Sequence, residues 1–262
     1  YQQDYRVMLC QSDESHEKEV ADANALFGSR VDGVMISLAH ETQSIDHLRI
    51  FQDTGIPLVF FDKTPDDMPG ISKVVVDDYL GAYQAVTHLI EQGHKKIAHF
   101  RGPVEASTSR NRLKGYQDAL EHHGIQLDDS LIFSCKNISL EEGSHFAKAL
   151  HQLAPDCTAL FAVTDLVAIG AMLTYRELGV EVPNQMAICG FSNNPISSII
   201  QPSLSSVSQP SLEMGKLAAE ILLKEIHANM EDLEFHPETI TLQTKLTIRT
   251  SSAHQISYPH VT

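Results

Sequence analysis

Short apolar runs recur along this chain roughly every 15 to 30 residues, with amphipathic segments between them. This is the βαβα rhythm of a parallel sheet covered on both faces, and it restricts the fold more than any other feature. The runs are RVMLC (6–10), DGVMISL (32–38), PLVFF (57–61), KVVV (73–76), KIAHF (96–100), LIFSC (131–135), ALFAV (159–163) and MAICGF (186–191). Most are apolar throughout, which predicts strands buried on both sides. Tyr79, Tyr83, Val86 and Ile90 follow one another at helical spacing, and Gly93 supplies a left-handed stop before the next strand. Gly124 and Gly179 repeat that device. Ser139 and Glu142 form a capping box, and Asp165 is placed to cap the apolar segment LVAIGAMLTYREL, which should be buried all round.

After MAICGF the pattern changes. The stretch NNPISSIIQPSLSSVSQP is too rich in Ser, Asn and Pro for a helix or a central strand, and it reads as loop and crossover. A helix follows from about 211 to 227, with Leu212, Gly215, Ala219, Leu222 and Ile226 on one side; ETITL and TKLTIR read as two closing strands. With 42% hydrophobic residues over 262 positions the chain can fill a real core, as one large domain or two smaller ones. Its 34 acids against 19 Lys and Arg give a net charge of −15, so most of the surface repels a polyanion and this chain alone should bind DNA poorly. No run reaches the length of a membrane span, and the first ten residues show no charged-then-apolar leader; the chain starts at Tyr1, so a boundary there would hide one. Cys10, Cys135, Cys157 and Cys189 lie in or beside apolar runs and form no CxxC pair, which predicts buried free thiols suited to a reducing cytoplasm.

The strong catalytic signatures are missing: no GxSxG elbow, no phosphate-binding Walker loop, no GxGxxG after a strand, no HExxH. The expectation is that the chain is not an enzyme and needs no cofactor. Its 14 histidines are scattered, and the adjacent His122 and His123 diverge on a helix, so no metal site is expected. Polar residues fall instead at the carboxyl ends of strands, where open α/β sheets place their ligand crevice. Asp62 ends PLVFF, Arg101 ends KIAHF, Thr164 and Asp165 end ALFAV, and Ser192 with Asn193 ends MAICGF. These residues can cap the following helices instead, and for Asp165 capping is the stronger reading; Asp62 is followed by KTP, which is no helix start. Arg110 and Arg112 lie at the start of a helix, where a cation gains nothing from the dipole. Arg112 can fork onto vicinal hydroxyls or a carboxylate of a ligand, or pair with a nearby acid on the surface.

The stretches RVDGVMIS, GIPLVFFDK, VVVDDYLGAYQAVTHLIEQGHKKIAHFRG, SRNRLKGYQDAL, ALFAVTDLVAIGAM, VPNQMAICGFSNNPISSIIQPSLSSVSQP and SLEMGKLAAEILL resemble, in order, those of the lac repressor (LacI/GalR) family of bacterial regulators, from about Arg6 to Ser252. The resemblance implies an effector-binding core like the periplasmic sugar-binding proteins: two parallel-sheet α/β lobes joined by three crossovers. Lobe one would hold residues 1–76 and 210–241, lobe two 77–207 and 244–262. The family's core opens with a strand and helix ahead of YQQDYRVMLC, so lobe one is expected to lack its first strand-helix unit, and the helix-turn-helix head lies outside this chain.

The resemblance further implies a cytoplasmic repressor and homodimer that binds a sugar-like effector between its lobes and touches operator DNA only through that head, with no membrane partner. The family's effector arginine falls on Arg112 and a cleft acid on Asp62. Thr164 and Asp165 match the family's aspartate motif, and Ile138 stands where many members carry an aromatic lid. The usual GFDD or GYDD is GFSN here, so Ser192 and Asn193 replace acids. That loss is expected to leave the surroundings of Arg112 more positive, favouring a sugar phosphate or sugar acid over a neutral sugar. Two rival readings are a secreted sugar-binding protein serving a transporter and an α/β enzyme handling nucleotide sugars or phosphates. The regulator-like phrases count against the first, and the want of a nucleophile with a partnered base against the second.

Overall fold

The computed structural model describes residues 5–66 and 68–253. In chain order the elements are α1 (His16–Gly28), β1 (Val34–Ile36), α2 (Asp46–Asp53), β2 (Leu58–Phe61), β3 (Ser72–Val76), α3 (Asp78–Glu91), β4 (Ile97–Arg101), α4 (Ser107–His122), β5 (Ile132–Ser134) and α5 (Leu140–Leu153). They continue with β6 (Ala159–Ala162), α6 (Asp165–Glu177), β7 (Ala187–Ser192), α7 (Ile196–Ile199), β8 (Ser205–Ser208), α8 (Ser211–Met230), β9 (Thr239–Leu242) and β10 (Lys245–Thr247). They form two compact units: unit one is Tyr1–Val76, Glu105–Ser107 and Ser211–Leu242, and unit two is Asp77–Val104, Thr108–Pro210 and Gln243–Thr262.

Unit one carries the four-stranded sheet β1-β2-β3-β9, parallel throughout. Its strand β2 shows why an unbroken apolar run suits this layout. Leu58 and Phe60 join Leu48 and Phe51 of α2 in one core, while Val59 turns to the other side and joins Met214, Ala218 and Ile221 of α8. All of Leu58, Val59 and Phe60 are fully buried, each worth about 1.5–3 kcal/mol of transfer free energy. On α8 the buried stripe is Met214, Ala218, Ile221 and Ile226, and Leu212, expected inside, is 88% exposed. Both sets obey the helical period; what decides between them is where β2 and β3 lie, which periodicity does not reveal.

Unit two carries the six-stranded sheet β10-β8-β7-β6-β4-β5, parallel except for the β10–β8 pair. Alternation again splits each strand: Ile97 and Phe161 face the core built on α3 and α4, while Ala98, Phe100 and Leu160 face the core of α5 and α6. On α3 the fully buried face is Ala82, Ala85, Val86 and Leu89, and Tyr83 and Ile90 only flank it. Helix α6 is buried nearly all round, as its composition predicts. It crosses α5 so closely that a Cβ on Gly143 would overlap the Val167 carbonyl, and one on Gly170 the Leu140 carbonyl.

Four expectations need correction. RVMLC forms no strand: β1 is the edge of its sheet, residues 6–10 have no partner among the described residues, and Val7 and Leu9 stand exposed beside a cavity of about 450 Å³ lined by Met8–Glu14, Ser37 and Phe61 among others. Cys10 on this segment is therefore exposed, while Cys135, Cys157 and Cys189 are buried free thiols. The serine-rich stretch holds α7 and an interior strand, β8 between β7 and β10. Its hydroxyls are satisfied inside: Ser252 Oγ donates to Ser205 Oγ at 2.6 Å, and the Ser205 N–H donates to Ser251 Oγ at 2.8 Å. Finally, α6 begins at Asp165 itself, with Thr164 at the cap position, so Asp165 does not cap it.

Candidate functional site

In unit two the sequence-selected residues gather at the carboxyl ends of β4, β6 and β7. Arg112 sits on α4 and is only 4% exposed. Its Nε and Nη2 both lie 2.7 Å from Asp78 Oδ1, and its Nη1 donates to the Val163 carbonyl at 2.7 Å. The guanidinium carbon stands 3.6 Å from the centroid of the Phe191 ring, so the planar group is stacked as well as paired. These contacts occupy one face and one edge, and a guanidinium has five N–H groups, so two donors stay outside these bonds. The acid that sequence reading left unspecified is thus Asp78, the first residue of α3, and the pair is buried rather than superficial. Phe191, one residue before Ser192, was also missed; an aromatic directly preceding the strand-end polar pair was the available signal.

Asp165 is the hub of a second group. Its Oδ2 accepts from the Asn194 N–H at 2.6 Å and from Ser197 Oγ at 2.7 Å, and its Oδ1 from Ser206 Oγ at 2.6 Å. Burial raises its carboxyl above the ordinary range, and the two serines, the Asn194 N–H and Arg249 oppose that rise. Asn193 is equally engaged: its N–H donates to Ser206 Oγ at 2.9 Å, its Nδ2 to Ser208 Oγ at 2.7 Å, and its Oδ1 accepts from Arg249 Nη2 at 2.7 Å. Serines 197, 206 and 208 and Arg249 escaped the sequence reading because no local pattern ties them to bonding partners 13 to 56 residues away.

The backbone here is held in unusual conformations. Ser192 has φ 101° and Asn193 φ 49°, two consecutive residues in the left-handed region that side chains disfavour. Such conformations cost about 1–3 kcal/mol each and persist where the surrounding hydrogen bonds over-determine them, as the Asp165 and Asn193 networks do. Two hydroxyls, Thr164 Oγ1 just after β6 and Ser109 Oγ on α4, are buried with no hydrogen-bond partner among the described residues. Buried hydroxyls ordinarily make a hydrogen bond, so these two are suited to a polar partner. Ile138 is half-buried and packs beside Gly102 and Ser109, with its Cδ1 3.3 Å from the point a Cβ on Gly102 would occupy.

In unit one the sequence-selected acid, Asp62, lies at the end of β2. Asp62 has φ 59°, continues the ladder by donating its N–H to the Val74 carbonyl at 3.0 Å, and is half-buried. A side chain held left-handed at a strand end, with no helix following, has no capping role to explain it.

The protein family described as periplasmic binding protein-like domain matches residues 86–252. The chain is 30% identical over 251 residues to the HTH-type transcriptional repressor PurR of Actinobacillus pleuropneumoniae serotype 3 (strain JL03), covering 96% of this chain and 73% of that repressor. Among solved structures it is similar to the transcription regulator CcpA of Lactococcus lactis, with a TM-score of 0.86, 28% identity and coverage of 96% of this chain and 89% of that one. It is also similar to a complex of the transcriptional regulator CelR with cellobiose, with a TM-score of 0.82, 29% identity and coverage of 90% and 71%.

Proposed function

Since the chain belongs to the LacI family of transcriptional regulators, built on a periplasmic-binding-protein-like fold, we propose that it is the effector-sensing core of a bacterial repressor, and that a small hydroxyl-rich molecule is read at the carboxyl-terminal strand ends of unit two. The observation that carries this reading is Arg112, buried and locked by Asp78, Val163 and Phe191 yet with two N–H groups outside those bonds. A guanidinium fixed in this way loses little further entropy when it forks onto adjacent hydroxyls. Within unit two the buried Thr164 and Ser109 hydroxyls supply further partners, Ser192 presents its side chain from a left-handed backbone, and Ile138 gives an apolar patch. Asp165 and Asn193 act as positioning residues, because their polar atoms are already spent on the framework.

The pairing of Arg112 with Asp78 changes the expected ligand class. The loss of the family's acid at Ser192 argued for excess positive charge, but Asp78 already neutralises the arginine at 2.7 Å, so a neutral sugar is favoured over a sugar phosphate or sugar acid. The sugar in the CelR complex supports the same class. Binding would favour one conformational state over another, and only that difference in affinity can alter operator binding. With a net charge of −15, operator contact would be made outside these 262 residues, and a homodimer and cytoplasmic location follow from the family reading. Among the described residues no helix is long and apolar enough to cross a membrane. The reading is tested by thermal shift against neutral sugars, sugar phosphates and sugar acids. Stabilisation by at least one neutral sugar is expected, about 2.7 kcal/mol at a hundredfold excess over Kd; a response confined to the anionic compounds would reverse the ligand class, and turnover of any of them would replace the sensor with an enzyme.

A further inference from the structure

Unit one holds a group of side chains that the sensing site does not use. His16 and Glu19 lie three residues apart on one face of α1, and His47 is the second residue of α2. Each offers one ligand atom, and the three atoms lie within 4.8 Å of one another. The group is built rather than superficial: the side chains of His47 and Glu19 are 7% and 3% exposed. His47 Nε2 stands 2.9 Å from Glu19 Oε1, and the His16 ring meets the His47 ring edge-on at 5.1 Å.

Glu19 is also oriented from behind. The Ala39 N–H donates to its Oε2 at 2.5 Å, and Thr42 Oγ1 donates to its Oε1 at 2.8 Å. This is the outer support that metal-binding carboxylates carry. A plain His47–Glu19 ion pair would be complete with those bonds, and it gives no reason for the third member. Yet His16 Nδ1 is buried with no hydrogen-bond partner among the described residues, a costly arrangement unless something else is meant to sit against the ring.

We propose that His16, Glu19 and His47 bind a zinc-class divalent ion that ties α1 to α2 within unit one. Two imidazoles and one carboxylate suit zinc and its first-row neighbours, whereas calcium and magnesium take oxygen ligands. Ligands on a tetrahedral centre at about 2.0–2.2 Å stand roughly 3.4 Å apart, so His47 and Glu19 would separate by about half an ångström and the imidazoles would close slightly. Three protein ligands leave a fourth position for water. The helices these residues stand on are otherwise joined by the apolar core of Leu48, Phe51, Ala23 and Phe27, so the ion would add a polar clamp at the end of a hydrophobic contact.

The test is titration of the chelator-stripped protein with Zn²⁺ by calorimetry, and with Co²⁺ by visible absorption. One ion per chain is expected, with the d–d bands of a four-coordinate cobalt site and a higher Tm on loading. His16→Ala removes a ligand whose side chain makes no hydrogen bond among the described residues, so it should keep the fold while weakening zinc at least about tenfold and abolishing the cobalt bands. His47→Ala and Glu19→Gln should do the same if they fold, whereas His122→Ala with His123→Ala should leave affinity unchanged. Absence of saturable binding, unchanged zinc affinity in His16→Ala, or loss of binding in the His122/His123 variant would overturn the proposal.

Discussion

Among the described residues unit one buries two polar side chains, Glu19 and Ser72, whereas unit two buries Arg112, Asp78, Asp165, His88, His99 and a set of serines from 197 to 252. Both are parallel α/β units with strands split between two apolar cores, so the difference does not come from the fold type. It lies in what happens at the strand ends. In unit one a single residue, Asp62, is held left-handed by the β2–β3 ladder. In unit two the ends of β4, β6 and β7 are fixed by polar networks that reach β8 and Arg249. Buried polar networks are rigid when complete and costly when broken. Single polar changes at the strand ends of unit two should therefore be severe, and a change at the β2 strand end of unit one tolerated.

The sharpest way to break that contrast is at Arg112. Arg112→Met takes the guanidinium away from the buried Asp78 carboxylate and should cost about 3–5 kcal/mol, read as a lower midpoint in urea. Asp62→Asn in unit one should cost less than about 1 kcal/mol in the same assay. The double change Arg112→Met with Asp78→Leu removes both charges and should recover most of the loss, while any sugar response stays absent. If Arg112→Met alone were as mild as Asp62→Asn, the pair would not be the buried anchor described here.

Acid separates the units next. Burial holds His99 down to about 3 against an ordinary 6.5, with the Phe161 carbonyl opposing it only partly, and burial lowers His88 in the same direction. Below about 6.5 the unfolded chain takes up protons that folded unit two refuses. Stability is thus whole above pH 6.5 and declines as pH falls toward 3, by up to about tenfold in the folded ratio per pH unit for each such histidine. Asp165, raised by burial, works the other way but only where carboxylates titrate. Among the described residues both depressed histidines lie in unit two, so amide protection factors, referred to the intrinsic rate at each pH, should fall there between pH 7 and 5 before unit one responds. His99→Phe, which keeps the stack on Tyr116 and Phe161, should flatten this dependence.

A smaller effect is expected at Ser206, whose hydroxyl serves both Asp165 and the Asn193 N–H; Ser206→Ala should cost about 1–3 kcal/mol by calorimetry. The smallest concerns the backbone itself. Asp62→Gly and Ser192→Gly relieve left-handed conformations and should change stability by no more than about 1 kcal/mol, while Ser192→Gly also weakens ligand binding.

The two units also differ in how far they could be read from the chain alone. The apolar runs that became β2, β3, β4, β6 and β7 were legible because strands buried on both faces need no polar alternation. RVMLC had the same pattern and formed no strand, since a run becomes a strand only when a neighbour pairs with it. The opposite failure is β8, a serine-rich strand in the sheet interior, where hydroxyl-to-hydroxyl bonds from Ser205 and Ser208 accompany the single apolar core contact of Val207. At the candidate site, Arg112, Thr164 and Ser192 could be located because strand ends are identifiable in sequence. Their supports, Asp78, Ser206 and Arg249, could not, because they come from other elements and are joined only by the folded sheet.

Amide hydrogen exchange of unit two with and without the most stabilising neutral sugar tests the central claim most directly. The account predicts that added protection concentrates at residues 101–103, 163–165 and 191–194, and that it vanishes in the Arg112→Met with Asp78→Leu variant although that variant still folds. Protection spread elsewhere, or retained in full by the double variant, would contradict the assignment of the strand ends around Arg112 as the sensing surface.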